Sequence, residues 1–178
     1  MTYTLGDCDL QGPYRYSLCV DTQSAASGLL LVMQCNPSNA NSRRADPTVG
    51  KVAHWAAANG FGTVVFLNLF ARISPYPEAL RHLRYSQLVG PRNDEVIATQ
   101  LQRPDPTLVL AWGAGLPVGR QRYTRRLTEI RQLIVGRGIP IHRVGQLTAG
   151  GFPRHGRMWN GDNRQLLPLD WTALTPAC

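Results

Sequence analysis

Three stretches of the chain are apolar without interruption and short: Leu29-Leu30-Leu31-Val32-Met33, Thr63-Val64-Val65-Phe66-Leu67 and Thr107-Leu108-Val109-Leu110-Ala111. Runs of this length fit strands buried on both faces, as in a parallel sheet. A fourth and weaker run, Ile139 to Val144, predicts a short strand, and the alternation in Tyr14-Arg15-Tyr16-Ser17-Leu18-Cys19-Val20 predicts an edge strand or half of a hairpin. Residues 1 to 13 have no strong period, and Asp21 to Gly28 is a polar turn. Helical patterns lie between the strands. One covers Val52 to Ala58 and stops at Asn59-Gly60, and one covers Glu95 to Gln102 behind Gly90-Pro91-Arg92-Asn93-Asp94. A short one covers Glu78 to Arg84, and the longest runs from Arg120 to Val135. In that helix the apolar positions are Leu127, Ile130, Leu133 and Ile134. Arginines at 120, 122, 125, 126 and 131 occupy the other positions and suggest a general electrostatic surface. Strands alternating with helices predict one α/β domain over residues 1–178, with a four-stranded, mostly parallel sheet between helices.

The loop after the first buried strand, Asn36-Pro37-Ser38-Asn39-Ala40-Asn41-Ser42, is longer than an ordinary strand-to-helix connection and dense in amides and hydroxyls. It lies at the carboxyl end of a central strand, where open α/β sheets bind their ligands. Asn68 ends the second strand, Trp112-Gly113 the third, and Gly150-Gly151-Phe152-Pro153-Arg154-His155-Gly156 forms a glycine-rich loop after the fourth. These polar ends belong to one edge of the sheet.

Charge narrows the partner. Nineteen Lys and Arg against eleven Asp and Glu give a net charge of +8. Lys51 is the single lysine, so the excess is guanidinium, which forks onto phosphate and stacks on bases. A nucleic-acid partner fits, although a GC-rich genome would also favour arginine over lysine. With 43% hydrophobic and 17% charged residues the chain reads as globular. No apolar run spans a bilayer, and Met1-Thr2-Tyr3-Thr4 lacks the features of a signal peptide, so a cytoplasmic protein without a membrane partner is expected. Cys8, Cys19, Cys35 and Cys178 form no C-x-x-C pair and stand at no zinc spacing, so reduced thiols and no metal or other cofactor are expected.

The ordered set Asn36-Pro37-Ser38-Asn39-Ala40, Asp46-Pro47-Thr48, Asn68-Leu69-Phe70-Ala71-Arg72, Gly90 to Asp94, Ala111-Trp112-Gly113 and Gly151 to His155 resembles an uncharacterised family of bacteria and phages, over roughly residues 14 to 156. More distantly, the order of elements is similar to the uracil-DNA glycosylase superfamily. Those enzymes carry an early G-x-N-P-G or G-x-D-P motif, a later strand ending in a base-reading asparagine, and a last histidine loop. The resemblance implies a uracil-DNA-glycosylase-like three-layer α/β/α fold. It implies that Asn36 positions water, Asn68 reads the base edge and His155 stabilises the departing base anion. The first motif lacks its glycines, having Gln34-Cys35 before and Ser38 after. The last has Gly156 where proline is usual. Thr48 stands where some members carry a stacking phenylalanine, which makes room for a bulkier, modified base.

The expected chemistry is hydrolysis of an N-glycosidic bond on a flipped-out base, leaving an abasic site. No catalytic lysine stands out for a lyase step. Asp46, ten residues after Asn36, is a candidate base and counter-charge to the sugar cation. It is equally a helix N-cap before Pro47, and the roles are compatible. Ser38, Thr48, Asn68 and Phe70 are expected at the base, although Phe70 also fits a core and Asn68 a loop-holding cap. Arg43, Arg44, Arg72 and Arg154 are expected at DNA phosphates. A hydroxymethylated or glucosylated pyrimidine of phage DNA, removed in antiviral defence by a monomeric enzyme, is the specific expectation. The alternatives are a module that binds modified or damaged DNA without cutting it, and a hydrolase of free nucleotides or nucleosides.

Overall fold

A computed structural model describes residues 2–74, 76–113 and 118–174; Pro75 of the proline-rich loop and Cys178 lie outside the described residues. Seven strands form one sheet: β1 (Thr4–Gln11), β2 (Tyr14–Asp21), β3 (Gly28–Gln34), β4 (Phe61–Asn68), β5 (Pro106–Leu110), β6 (Ile141–Val144) and β7 (Leu166–Pro168). The α-helices are α1 (Pro47–Ala58), α2 (Tyr85–Val89), α3 (Asn93–Leu101) and α4 (Arg120–Val135). The sheet order is β1-β2-β4-β3-β5-β6-β7.

The fold is α/β, but the sheet is not the expected four-stranded one. The four anticipated strands are present and mutually parallel, as β4-β3-β5-β6. Three antiparallel strands extend them, β1 and β2 at one edge and β7 at the other. The physical reason is exposure. β1 is half exposed and its register with β2 shifts twice, so it carries no clean alternation. β7 has only three residues. The short pattern over Glu78 to Arg84 is a 3-10 helix, Pro77–His82.

Alternation along the strands divides the core in two. Leu31, Met33, Val65, Leu67, Leu108 and Leu110 pack with Leu88 of α2, Ile97 of α3 and Ile130 of α4. Leu30, Val32, Val64, Phe66 and Val109 pack on the other face with Val52, Ala53 and Trp55 of α1. Leu30 to Met33 are wholly inaccessible, and burial of each such side chain contributes about 1.5–3 kcal/mol.

The chain leaves β3 for α1 on one face and β5 for α4 on the other. β3 and β5 are neighbours, so their connections part at this point and open a crevice at the carboxyl ends of the strands.

Candidate active site at the carboxyl ends of the central strands

The crevice is built by pinned strand ends. Leu69 N–H donates to Gln34 O at 2.8 Å and Phe70 N–H to Cys35 O at 2.9 Å, which carries the β3–β4 pairing past the last strand residues. The loop then turns at Asn36. Its Nδ2 donates to Pro37 O and to Ser74 O, both at 3.2 Å. With both amide hydrogens committed, the Asn36 carbonyl oxygen is the end left to accept from a ligand or water.

Asp46 holds the next part of the loop. Its Oδ1 accepts from Val49 N–H at 2.8 Å, so it is the N-cap of α1, with Pro47 at the first helical position. Its Oδ2 accepts a short hydrogen bond from the Ser38 hydroxyl. Each carboxylate oxygen keeps a further lone pair. Behind this loop lies Arg15, 1% exposed, whose Nη1 donates to Ala40 O at 2.7 Å. Burial pulls its pKa down, while the charges of Cys8 and Asp46 oppose that shift.

The His155 loop closes over the same end. Gly113 N–H donates to Pro153 O at 2.9 Å. Gly113 has φ +75, and a Cβ there would lie 3.2 Å from His155 Cβ, so the end of the β5 segment and this loop need glycine to meet. His155 Nδ1 accepts from Arg157 N–H at 3.2 Å, which leaves the proton of the neutral ring on Nε2. Burial lowers the His155 pKa from its ordinary 6.5; Asp46 opposes the shift and Arg157 adds to it. Asp46 and His155 therefore act on one another. At Gly156 a Cβ would stand 2.6 Å from Val52 Cγ2, 3.4 Å from Thr48 Cγ2 and 3.7 Å from Gln34 Nε2, which places the loop directly over the start of α1 and the end of β3.

Beneath it are two buried amides. Asn68 is wholly inaccessible, and neither its Oδ1 nor its Nδ2 has a partner. Gln34 is 5% exposed and its Nε2 has none. Leaving such a group unpaired costs about 1–3 kcal/mol, so unmet groups in a core call for an explanation such as a ligand. Asn68 is not the loop-holding cap considered from the sequence. That work falls to Asn93, whose Nδ2 donates to Asn68 O at 3.0 Å and Leu69 O at 3.1 Å.

Contacts thus link Ser38 to Asp46, Asp46 to His155, and the His155 loop to Thr48 and to Gln34 beside Asn68, while Asn36 turns its amide to Pro37 O and Ser74 O. Phe70 is not part of the crevice. Its side chain is fully buried in the opposite core, edge-on to Tyr85, because alternation ends at Asn68 and Leu69, Phe70 and Ala71 all join the α2–α4 face. It offers no ring to a base. Arg72 packs over the Tyr14 ring at 5.7 Å, and Arg154 Nε donates to Gln146 O at 2.8 Å, so both are tied to the protein. Arg43 and Arg44 are exposed at the tip of the Asn36–Asp46 loop.

The arginines of α4 are not a uniform electrostatic surface. Arg126 is fully buried and binds Leu69 O, Asp94 and Glu129. Arg122 donates to Arg81 O and Leu83 O, and Arg125 stacks on Tyr85 at 4.0 Å. They fasten the helix to the segment that follows β4.

Sequence reading missed Gln34 and Arg15 as site residues. The signal at Gln34 was a polar residue closing an otherwise apolar strand, the same signal that singled out Asn68. Arg15 gave no such signal, because it shares the polar parity of its strand with Ser17 and Cys19 and is buried nonetheless. Among the described residues no group of three or more His, Cys, Asp or Glu could hold a metal ion, and no helix is long and apolar enough to cross a membrane.

No curated protein and no solved structure matches the chain. One family does, over residues 15–156, a span that holds every residue of the crevice. The chain belongs to that family, described as Protein of unknown function (DUF1643).

Proposed function

We propose that the protein is a monofunctional DNA glycosylase that hydrolyses the N-glycosidic bond of a modified, flipped-out base. The observation that carries this reading is the unpartnered amide of Asn68. It is a buried donor–acceptor pair at a strand end, in register with Gln34, over which the His155 loop passes. A nucleobase edge meets both amide atoms at once.

In this reading Asn36 Oδ1 and Asp46 hold a water at the sugar carbon. The water oxygen forms the new bond to that carbon as the glycosidic bond breaks, and the bonding electron pair leaves with the base. The water's proton passes to Asp46, whose negative charge also faces the sugar cation. His155 donates from Nε2 to the oxygen of the departing base. Thr48, beside Gly156, carries no ring where the resemblance places a stacking phenylalanine, which fits a bulkier base. Exposed Arg43 and Arg44 take the phosphates. The likeness in element order to the uracil-DNA glycosylase superfamily supports the same assignment.

The test is incubation with plain DNA, uracil-containing DNA and phage DNAs carrying hydroxymethylated or glucosylated cytosine, with abasic sites read by alkaline cleavage. Cleavage on a modified substrate, lost in Asn36→Ala and Asp46→Asn, is expected. Intact DNA in every case overturns the glycosylase, and uracil DNA cut far better than any modified DNA overturns the bulky-base assignment.

A further inference from the structure

Among the described residues the ion pairs gather around α3 and α4, where Asp9 holds Arg92, and Asp94 and Glu129 hold Arg125 and Arg126. α1 packs on the other face of the sheet. It contains Lys51 and no acidic residue, and the segment packed along it carries Arg157 and Arg164. Lys51, Arg157 and Arg164 enter none of those ion pairs.

Between α1 and that segment lies a cleft of about 420 Å³, with Lys51, Trp55, Asn59, Trp159 and Arg164 in its walls. Its floor is carbon. The Trp55 and Trp159 rings meet edge to face, 4.9 Å between centroids. Their polar atoms are already used: Trp55 Nε1 donates to Arg164 O at 2.7 Å and Trp159 Nε1 to Arg154 O at 3.2 Å. Asn59 Nδ2 donates to Trp55 O at 2.7 Å. The rim is cationic. Lys51 Nζ donates to Arg157 O at 2.9 Å, which holds the ammonium in place and leaves it two further donors. Arg164 is exposed, anchored by its carbonyl at Trp55, one turn along α1 from Lys51. No carboxylate lines the cleft, and Asp162 of the same segment is outside it.

We infer that this cleft seats the backbone of a DNA strand running out of the crevice, with Lys51 and Arg164 on successive phosphates and the two indoles beneath the deoxyribose between them. The inference rests on the base-excision reading only for the class of partner. Cations above a carbon floor complement a polymer in which anionic phosphates alternate with apolar sugars. A lone anion would use the rim and leave the floor idle, and a neutral ligand would leave both cations unmet. The cleft is also continuous with the crevice. The loop that stands over Thr48 at Gly156 reaches Lys51 at its next residue, Arg157. From Thr48 to Trp55 α1 rises about 10 Å, the advance of about three nucleotides in a B-form strand. A strand with its target base in the crevice therefore meets the indoles about three nucleotides away.

The experiment measures binding of the full chain to single strands of about three and about ten nucleotides by fluorescence anisotropy over a series of salt concentrations. Thymidine monophosphate is the competitor. The variants are Lys51→Gln with Arg164→Gln, Arg164→Glu alone, and Arg103→Gln with Arg137→Gln, which removes equal charge beyond the ends of α3 and α4. Thermal midpoints are recorded for all. The longer strand is expected to bind at least about tenfold more tightly than the shorter. The Lys51 and Arg164 pair of substitutions is expected to remove that advantage and to reduce the slope of log K against log salt by about 1.4, as for two phosphates of a single strand. Arg164→Glu leaves the Lys51 bond to Arg157 intact and is expected to weaken the longer strand about tenfold by itself. The Arg103 and Arg137 pair is expected to leave slope and length dependence unchanged.

An equal fall in slope in both double variants would mean that total charge alone acts, and overturns the cleft. So does a length advantage kept in Arg164→Glu and in the Lys51 and Arg164 double variant, or thymidine monophosphate binding as tightly as the longer strand, which would make this a mononucleotide site. Strand binding that depends on Lys51 and Arg164, with no abasic site on any DNA, supports the cleft and rejects the glycosylase. Abasic sites with an unchanged slope do the reverse.

Discussion

Asp46 grips Ser38 with one carboxylate oxygen and caps α1 with the other, so the same group fixes the helix start and the loop beside it. The two roles separate by substitution. Asparagine caps a helix about as well as aspartate but brings no charge. Asp46→Asn should hold its urea midpoint to within about 0.5 kcal/mol of wild type, while abasic-site formation falls roughly 10²–10⁴-fold. Asp46→Ala should lose the same activity and about 1 kcal/mol of stability in addition. Urea titration with single-turnover cleavage checks both.

His155 sets a pH dependence whose sign follows from its environment. Burial lowers its folded-state pKa below 6.5, so in the window just under 6.5 the unfolded chain binds a proton that the native chain does not. The stabilisation is complete above the unfolded value and is lost as pH falls through the folded one. Protonation would also remove the Nδ1 acceptor that holds Arg157 N–H. Urea midpoints measured from pH 7.5 down to 5 should fall more steeply for wild type than for His155→Asn. Parallel curves would show that the ring is not protected.

Arg126 anchors the far side of the site. It bonds Leu69 O at 2.6 Å, Asp94 at 2.5 Å and Glu129 at 3.1 Å from a fully buried position. Arg126→Met removes these bonds, but Asp94 and Glu129 are part-exposed and Leu69 O keeps Asn93, so a cost of about 1–3 kcal/mol is expected. Equilibrium unfolding measures it, and a change under 1 kcal/mol would mean the network is dispensable.

Gly156→Ala pushes a methyl group into Val52, a stiff β-branched side chain. A loss of about 1–3 kcal/mol is expected, as for other overpacked sites. Adding Val52→Ala should recover part of it, and a double-mutant cycle on thermal midpoints would show the coupling directly. Additive losses would place the strain elsewhere.

Arg43 and Arg44 test the nucleic-acid partner. If both neutralise phosphates, the double alanine variant reduces the slope of log K against log salt by about 2. Fluorescence anisotropy with a short duplex at several salt concentrations reads this. An unchanged slope removes the pair from the interface.

The parts of the fold legible in the sequence are those where burial was complete or the period long. β3, β4 and β5 are continuous apolar runs, and α4 begins and ends at the residues its pattern marks, Arg120 and Val135. β1 and β7 were illegible because half-exposed or very short strands leave no contrast between their faces. In the site, Asp-Pro-Thr announces its cap, and Asn68 stands out at the end of a strand. Phe70 misleads because two residues beyond a strand end the backbone decides which face a ring joins. Arg126 was readable in principle. It lies four residues before Ile130, which is itself four before Ile134, on the buried stripe of α4, but in a helix with five arginines one more cation drew no notice.

The parting of the β3 and β5 connections has an evolutionary consequence. Ser38 and Thr48 lie on the segment that leaves β3 and His155 on a separate loop, while the sheet beneath is held by two apolar clusters to which none of the three belongs. Selection can therefore rewrite what this crevice accepts by exchanging residues on its rim. The load of keeping the chain folded rests on positions that such exchanges leave alone. A lineage built on this scaffold is free to track a ligand that changes from one host or adversary to the next.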